Sequence, residues 1–347
     1  MNVLVTGAAG YIGSHCCKAL LDAGHQVIGL DNLFRGHAQA GEILAARASD
    51  RFQLVVGDIA DRVLVESLLR DRKIEGVIHF AALAYVGESV DQPGSYYRHN
   101  VGGMQVLLEA MHAVGVQRCV FSSSCATYGE PPEQLIPIPE TCPQNPVSPY
   151  GRSKLIGEWM LRDLSVASAR AKRPFAFAAM RYFNVAGCAL DGSLGEDHTP
   201  ETHLIPVVLE VALGKRPHVQ IFGTDYPTPD GTCIRDYVHV EDLARAHLAA
   251  LFKLDPARFD QHAWNLGTGS GFSVLQVIEA ARRVTGHAIP MIHQPRRAGD
   301  PARLFSDTRR AEVELGFVPG ITDLDEIVRS AWQWFRTHPQ GYRSASR

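Results

Sequence analysis

Features that would indicate a membrane, secreted or nucleic-acid-binding protein are missing from this sequence. No apolar run approaches the roughly 20 residues that a membrane-spanning helix needs. The formal net charge is -3, whereas a nucleic-acid-binding protein is normally basic. The seven cysteines are odd in number and form no C-x-x-C pair, which is typical of reduced thiols and not of a disulfide framework. We therefore expect a cytoplasmic globular protein that contacts neither nucleic acid nor a membrane.

Metal-binding motifs are scarce as well. The 15 histidines show no H-E-x-x-H motif or comparable ligand spacing, so the sequence predicts no metal site. The length of 347 residues is sufficient for two domains.

A glycine-rich turn follows the first apolar segment. Residues 2–6 are predicted to be a buried strand, the turn runs from Gly7 through Gly10 to Gly13 with the pattern G-x-x-G-x-x-G, and helical periodicity begins at Ile12. Such a turn lets backbone N–H groups approach a pyrophosphate closely. Glycines often serve turn geometry alone, but this position between a strand and a helix favours nucleotide binding.

An acidic residue ends the second predicted strand. Asp31 follows the strand 26–30 and lies roughly 20 residues beyond the glycine loop, where a carboxylate accepts hydrogen bonds from the adenosine ribose and repels a 2′-phosphate. The sequence therefore predicts NAD in preference to NADP, although Arg35 nearby softens that preference.

Strands and helices alternate through the first half of the chain, which predicts an α/β fold with a Rossmann-like, doubly wound parallel sheet. Ligands in such sheets bind beyond the carboxyl ends of the strands, where Asp31, Asp58, Ala81 and Ser124 are expected. The further predicted strands are 52–56, 76–80, 117–123 and 175–182, with helices over 61–72 and 95–114.

The alternation breaks down after about residue 184, and the loops lengthen. We expect an NAD-binding Rossmann domain over residues 1–183, to which roughly 235–266 return. Residues 184–347 are expected to form a smaller mixed α/β domain that binds the substrate.

Tyr150 and Lys154 are four residues apart in a segment that looks like a helix start, with Ser148 as the N-cap and Pro149 as the first helical residue. Both side chains would lie on one helix face. A nearby ammonium and the helix dipole favour a phenolate, so Tyr150 is a candidate base towards an alcohol. The alternative is an ordinary surface helix.

Two further groups extend this hypothesis. Ser124 is predicted to face the same crevice, where its hydroxyl can hydrogen-bond the oxygen that Tyr150 deprotonates, although serines also simply end strands. Arg235 and Arg297 can clamp a diphosphate with two hydrogen bonds each, although most arginines are solvated surface charges.

The glycine loop, Ser124 and Tyr150-x-x-x-Lys154, in this order, resemble the extended short-chain dehydrogenase/reductases. Nearly the whole chain is similar to the UDP-glucose 4-epimerase family within them. The segments that carry this likeness include Val86-Gly87-Glu88-Ser89-Val90, Arg181-Tyr182-Phe183-Asn184, Asp225-Tyr226-Pro227-Thr228 and Arg235-Asp236-Tyr237.

The resemblance implies an isomerase with tightly held NAD, a UDP-sugar substrate and a homodimer. UDP-glucose and UDP-galactose would be interconverted by oxidation at C4, rotation of a 4-keto sugar and reduction from the other face. Tyr150 would be the base, Lys154 would lower its pKa, and Ser124 would bind the reacting oxygen. The implied NAD-contacting residues are Gly7, Gly10, Tyr11, Ile12, Gly13, Asp31, Asn32, Asp58, Ile59, Phe80, Ala81, Ala82, Asn100, Ser122, Tyr150, Lys154 and Phe183. The implied substrate-binding residues are Ser124, Asn184, His203, Leu204, Phe222, Arg235, Arg297, Asp300 and Leu304.

The sequence departs from the family pattern at three positions. Ala84 stands where several members carry a Lys near the cofactor, and His203 replaces a common Asn. Leu304, which walls the C2 side of the sugar, is intermediate between a Tyr that excludes an N-acetyl group and a small residue that admits one. A UDP-N-acetylhexosamine or UDP-pentose 4-epimerase therefore remains an alternative.

Two other function classes are less consistent with the sequence. A 4,6-dehydratase would carry Asp-Glu after the active-site hydroxyl, where Cys125-Ala126 stands here. A non-enzymatic NAD-binding protein would be expected to lose Tyr150 or Lys154, and both are present.

Overall fold

The computed structural model describes residues 1–297 and 300–342. The strands of these residues are β1 (Asn2–Thr6), β2 (Gln26–Asp31), β3 (Phe52–Val56), β4 (Gly76–His79), β5 (Arg118–Ser122), β6 (Ala176–Tyr182), β7 (Asn184–Ala186), β8 (Val219–Phe222), β9 (Ile234–Arg235), β10 (Tyr237–His239), β11 (Gln261–Leu266), β12 (Phe272–Ser273), β13 (Met291–Gln294) and β14 (Arg303–Leu304). The α-helices are α1 (Tyr11–Asp22), α2 (Ala38–Arg47), α3 (Arg62–Asp71), α4 (Val86–Asp91), α5 (Pro93–Tyr96), α6 (Gly103–Val114), α7 (Pro149–Arg170), α8 (Leu204–Ala212), α9 (Val240–Lys253), α10 (Val274–Thr285), α11 (Arg309–Leu315) and α12 (Leu324–Thr337).

A seven-stranded sheet organises the molecule in the order β11-β6-β5-β4-β1-β2-β3, and all its paired strands run parallel. The chain winds outwards from β1 in both directions, so the strand order reverses between β1 and β4. The predicted doubly wound parallel sheet is confirmed. A ligand crevice is expected beyond the carboxyl ends of β1 and β4, where the neighbouring connections run to opposite sides of the sheet.

Three small sheets lie outside the main sheet, namely β10-β7, β12-β9-β14 and β13-β8. Leu304 of β14 pairs with Arg235 of β9, so two candidate substrate residues are neighbours in one ladder. After β10, the chain returns through α9 to β11 at the edge of the main sheet. The division of the chain into residues 1–183 and 184–347 stays a prediction.

Helix α7 begins as its sequence predicts. Ser148 is the N-cap, its hydroxyl oxygen accepts a hydrogen bond from the Gly151 N–H at 3.1 Å, and Pro149 is the first helical residue. A Cβ at Gly151 would lie 2.5 Å from the carbonyl oxygen of Ala126. Glycine therefore lets the first turn of α7, which carries Tyr150, pack closely against the turn that follows Ser124.

The single helix expected over residues 95–114 is interrupted. Residues Tyr97–Gly102 form a π-helical turn between α5 and α6. Asn100 lies in this turn, where its amide group accepts a hydrogen bond from the Leu83 N–H at 2.8 Å and donates one to the Leu83 carbonyl at 3.0 Å. A π-turn is often found at a functional position, and here it aims a polar side chain at the loop after β4.

The helices of the described residues include none that is both long and apolar enough to cross a membrane.

Candidate active site

The glycine loop packs against the ends of two neighbouring strands. Gly7 has a φ of +71°, and a Cβ there would lie 2.7 Å from the Ala81 nitrogen. A Cβ on Gly13 would lie 2.0 Å from the Gly7 carbonyl oxygen. Gly10 is the N-cap of α1, so its lack of a side chain leaves the first N–H groups of the helix accessible to an anion. Gly7 and Gly13 require glycine, and the three glycines together form the cradle that a pyrophosphate needs.

Asp31 fixes the loop to the end of β2. Its carboxylate accepts hydrogen bonds from the Ala9 N–H at 3.0 Å and the Leu33 N–H at 2.8 Å. Burial raises the pKa of Asp31, although these two N–H groups oppose the rise. Asn32 donates a hydrogen bond to Asp58 at 2.9 Å, and both line the same wall. This wall presents carboxylate oxygens where ribose hydroxyls are expected.

A cavity of about 520 Å³ extends from the glycine loop along the carboxyl edge of the sheet. Its lining includes every predicted NAD-contacting residue except Asn100, which is buried behind Leu83. A volume of this size fits a bound small ligand. The cradle at Gly7 and Gly13 and the carboxylate of Asp31 fit the pyrophosphate and the ribose of a dinucleotide.

Tyr150, Lys154 and Ser124 all line this cavity. Tyr150 and Lys154 are 7% and 3% exposed, and the Lys154 Nζ lies 5.8 Å from the centroid of the Tyr150 ring. Lys154 donates a hydrogen bond to the Ser122 carbonyl at 2.7 Å, which ties α7 to the end of β5. The pair is therefore buried and held by regular elements on both sides.

Burial dominates the electrostatics of this pair. It raises the pKa of Tyr150, and the Ser124 hydroxyl opposes the rise only in part. Burial also lowers the pKa of Lys154 to about 7. Without ligands, burial thus favours the neutral forms of both side chains, and the lowering of the Tyr150 pKa by Lys154 and the helix dipole stays a prediction.

The predicted substrate residues are only partly brought together. Asn184, His203, Asp300 and Leu304 line the cavity beside Ser124. Arg235 lies just behind this wall, forms an ion pair with Asp300 and donates a hydrogen bond to the Pro301 carbonyl at 2.9 Å.

Besides Arg235, three predicted substrate residues are absent from the cavity lining, namely Leu204, Phe222 and Arg297. The guanidinium carbon of Arg297 stacks 3.8 Å from the centroid of the Phe222 ring, and Leu204 begins α8. Neither Arg235 nor Arg297 lies on the cavity lining in this structure, and the clamp formed by these two residues stays a prediction.

Other lining residues were not among those predicted to contact NAD or the substrate. Arg35 reaches Glu88 at 2.6 Å and stacks over Tyr85 at 4.9 Å. Tyr182 shares a hydrogen bond of 2.6 Å with Ser122 at the ends of β6 and β5. The sequence could have indicated that Tyr182 lines the site, because Tyr182 ends a predicted strand. No sequence pattern points to Tyr85. Ala84 also lines the cavity, so the position where relatives carry a Lys faces the ligand space.

The model of the NAD dependent epimerase/dehydratase family matches residues 3–267. The chain is 48% identical to a UDP-glucose 4-epimerase of Lacticaseibacillus casei, covering 99% of both chains. The solved UDP-glucose 4-epimerase from Brucella ovis in complex with NAD is 46% identical with a TM-score of 0.88, covering 96% of this chain and 98% of that one. The enzyme from Bifidobacterium longum in complex with NAD⁺ and UDP is 40% identical with a TM-score of 0.91, covering 98% and 100%.

These similarities extend over the cofactor cradle, the Tyr150 site and the substrate wall, and they confirm the predicted fold and cofactor. The chain belongs to the NAD dependent epimerase/dehydratase family.

Proposed function

We propose that this protein is an NAD-dependent isomerase that interconverts UDP-glucose and UDP-galactose. The observation that carries the proposal is the meeting of Tyr150, Lys154 and Ser124 between the nucleotide cradle and the wall formed by Asn184, Asp300 and Leu304. A relative of nearly equal length and 48% identity is a UDP-glucose 4-epimerase, which supports the choice of substrate.

Tyr150 is the proposed proton acceptor at the sugar 4-hydroxyl, and Ser124 donates a hydrogen bond to the same oxygen. When bound, NAD supplies the hydride acceptor and donor at C4. Proton loss from the hydroxyl and hydride loss from C4 leave a 4-keto sugar, and Tyr150 returns the proton when C4 is reduced from the opposite face. Atoms and electrons balance over the cycle, so the net change is the inversion of C4.

The burial of Tyr150 and Lys154 affects the charge states that this proton transfer needs. A lone phenolate at Tyr150 and a lone ammonium at Lys154 are both disfavoured, because burial raises the pKa of the first and lowers that of the second. A phenolate and an ammonium together form an ion pair with a smaller net cost. We infer that the two side chains become charged as a pair when the ligands bind.

The residues after Ser124 favour the epimerase over a 4,6-dehydratase. Cys125 and Ala126 stand there, and neither supplies the carboxyl group that acid and base chemistry at C5 and C6 requires. Cys125 is half-buried, and desolvation raises the pKa of its thiol to about 12, so the thiol stays protonated near neutral pH and cannot accept a proton.

We also propose a homodimer. Trp159 and Val166 on α7 are 50% and 42% exposed, and Val90 on the adjoining α4 is 62% exposed. A second copy that covers these helices would bury large apolar side chains. Sedimentation velocity tests the proposal, because Trp159→Glu is expected to shift a dimer towards the monomer.

The proposed location is the cytoplasm, which fits the seven free cysteines.

The test of the function is proton NMR on UDP-galactose incubated with purified protein and no added NAD. The proposal predicts the appearance of UDP-glucose until the two sugars reach equilibrium. No conversion, with or without added NAD, would contradict it. UDP-N-acetylgalactosamine and a UDP-pentose serve as parallel substrates, and conversion of the former would show that Leu304 leaves room for an N-acetyl group.

A further inference from the structure

Two histidines and two glutamates converge at one wall of the cavity. They are Glu196, His198, Glu201 and His203, which lie within eight positions of the chain between β7 and α8. One nitrogen or oxygen atom from each residue lies within 4.8 Å of the others. Glu196, His198 and His203 also line the cavity.

Four separations within this cluster are close to the edges of a metal coordination tetrahedron. The His198 Nδ1 lies 3.2 Å from Glu196 and 3.4 Å from one oxygen of Glu201, and the His203 Nδ1 lies 3.4 Å from Glu196 and forms a hydrogen bond of 2.8 Å with the other oxygen of Glu201. A tetrahedral zinc ion with nitrogen and oxygen ligands at about 2.0–2.2 Å has ligand-to-ligand edges of roughly 3.3–3.6 Å. Since all four candidate ligand atoms lie within 4.8 Å of one another, small side-chain movements bring them to these distances.

The His198 ring is the second observation that points to a ligand. Its Nδ1 is buried and, among the described residues, has no partner of hydrogen-bonding geometry, although it faces both carboxylates. The rings of Tyr11 and Tyr85 pack against the His198 ring edge to face at 6.0 and 5.9 Å. A buried, unpartnered imidazole nitrogen that faces two carboxylate oxygens can bind a cation that the carboxylates share.

The backbone that carries the cluster is fixed from several sides. Gly195 packs against Trp334 so closely that a Cβ would lie 2.0 Å from the indole ring. The Asp197 carbonyl accepts a hydrogen bond from His37 at 2.9 Å, and the Glu201 carbonyl accepts one from Arg216 at 3.1 Å. Such supporting contacts hold the ligands of a metal site in position before the ion binds.

We propose that Glu196, His198, Glu201 and His203 bind one divalent zinc-type cation. Imidazole and carboxylate ligands in a tetrahedral set favour Zn²⁺ over Mg²⁺ or Ca²⁺, which require more oxygen ligands. Four protein ligands leave no open position, so the ion neutralises the two carboxylates and fixes the 196–203 segment without taking part in the chemistry at C4. This assignment replaces the sequence-based expectation of no metal, and it gives His203 a role other than direct contact with the substrate.

Two ion-paired, protonated histidines would account for the same separations, and metal titration distinguishes the two interpretations. The full-length protein is purified without a metal-affinity step, treated with a chelator, dialysed and titrated calorimetrically with Zn²⁺ in the absence of any UDP-sugar. The expected result is one Zn²⁺ per chain. His198→Ala and Glu201→Gln are each expected to weaken Zn²⁺ binding at least about tenfold.

The matched control is His262→Ala. His262 also lies near two carboxylates, at 3.8 Å from Asp260 and 3.9 Å from Glu314, but no second histidine joins it in the described part of the chain. This variant is expected to bind Zn²⁺ like the wild type. Equal binding by all variants would mean a surface ion and would overturn the site.

Binding of Co²⁺ to the wild type gives an answer that does not depend on whether a variant folds. A tetrahedral site with four protein ligands predicts an intense visible absorption band, and a weak octahedral spectrum or no binding would overturn it. Because no UDP-sugar is present in either titration, failure of the metal site and failure of the proposed epimerase activity are distinguishable.

Discussion

Two sets of polar groups around the cavity are held in opposite ways. In the Tyr150 region, which comprises Tyr150 and Lys154, the ionisable side chains are buried without an oppositely charged partner in the described structure, so burial favours their neutral forms. In the ion-paired region, the charges have partners, as in Arg235 with Asp300 and Arg35 with Glu88. The difference separates two tasks: the first region is suited to moving a proton, whereas the second is charged before an anionic substrate arrives.

The largest expected effect tests the role of the Tyr150 region in proton transfer. Tyr150→Phe keeps the buried ring and removes the proton acceptor, so turnover is expected to fall by about 10²–10⁴-fold. Bound NAD, measured by its release on denaturation, is expected to stay at the wild-type level.

Tyr226→Phe is the matched control for this variant. Tyr226 is buried outside the cavity lining, and its hydroxyl has no hydrogen-bond partner among the described residues, so turnover should stay within about twofold. A Tyr150→Phe enzyme within tenfold of the wild type would rule out the assigned base.

The second-largest expected effect tests the role of the ion-paired region in substrate binding. Arg235→Leu leaves the Asp300 carboxylate without its partner at the wall that receives an anion. Loss of one member of such a pair costs about 2–5 kcal/mol, so the KM for UDP-galactose is expected to rise at least about 30-fold with a smaller change in kcat.

Arg309→Leu is the matched control, and steady-state kinetics give KM and kcat for both variants. Arg309 is 84% exposed and pairs with Asp307 on the surface, where ion pairs contribute little. If both variants raise KM alike, or if Arg235→Leu lowers only kcat, the proposed difference between the Tyr150 region and the ion-paired region is wrong.

The smallest effect concerns stability in acid. His247 lies under the cofactor wall against Phe80, with ring centroids 4.8 Å apart, and burial lowers its pKa to about 4. The unfolded chain binds this proton near pH 6.5, so the folded state loses stability as pH falls from about 6.5 to 4. His247→Phe should remove roughly 2 kcal/mol of the loss between pH 7.5 and 5.

Urea unfolding at the two pH values measures this difference. His112→Phe, which changes an exposed ring, is the control and should leave the pH dependence as it is in the wild type. An unchanged pH dependence in His247→Phe would show that His247 is not held neutral by burial.

Local spacing was sufficient to predict the cofactor half of the site. A strand, a glycine turn and a helix fix the positions of Gly7, Gly13 and Asp31 relative to one another, and one helical turn places Tyr150 beside Lys154. The N-cap at Ser148 was predicted for the same reason, since capping depends on neighbouring residues.

The remaining parts depend on contacts between segments that are distant in the chain. Arg35 meets Glu88 across two βα units, and the 196–203 segment reaches the cavity only because α12 and the residues after it hold it there. Arg297 and Phe222 matched the family pattern, yet they stack on each other away from the cavity lining. The π-turn at Asn100 had no periodic signal, because it inserts within an otherwise continuous helix pattern.

The most direct test of the proposed chemistry follows the hydrogen at C4. UDP-galactose that carries deuterium at C4 is converted in ordinary water without added NAD, and the product is analysed by NMR and mass spectrometry. Transfer of this hydrogen to the cofactor and back within one site predicts UDP-glucose that retains the deuterium at C4. Loss of the deuterium to water would contradict the account, because it would mean that C4 is inverted by removal and return of a proton.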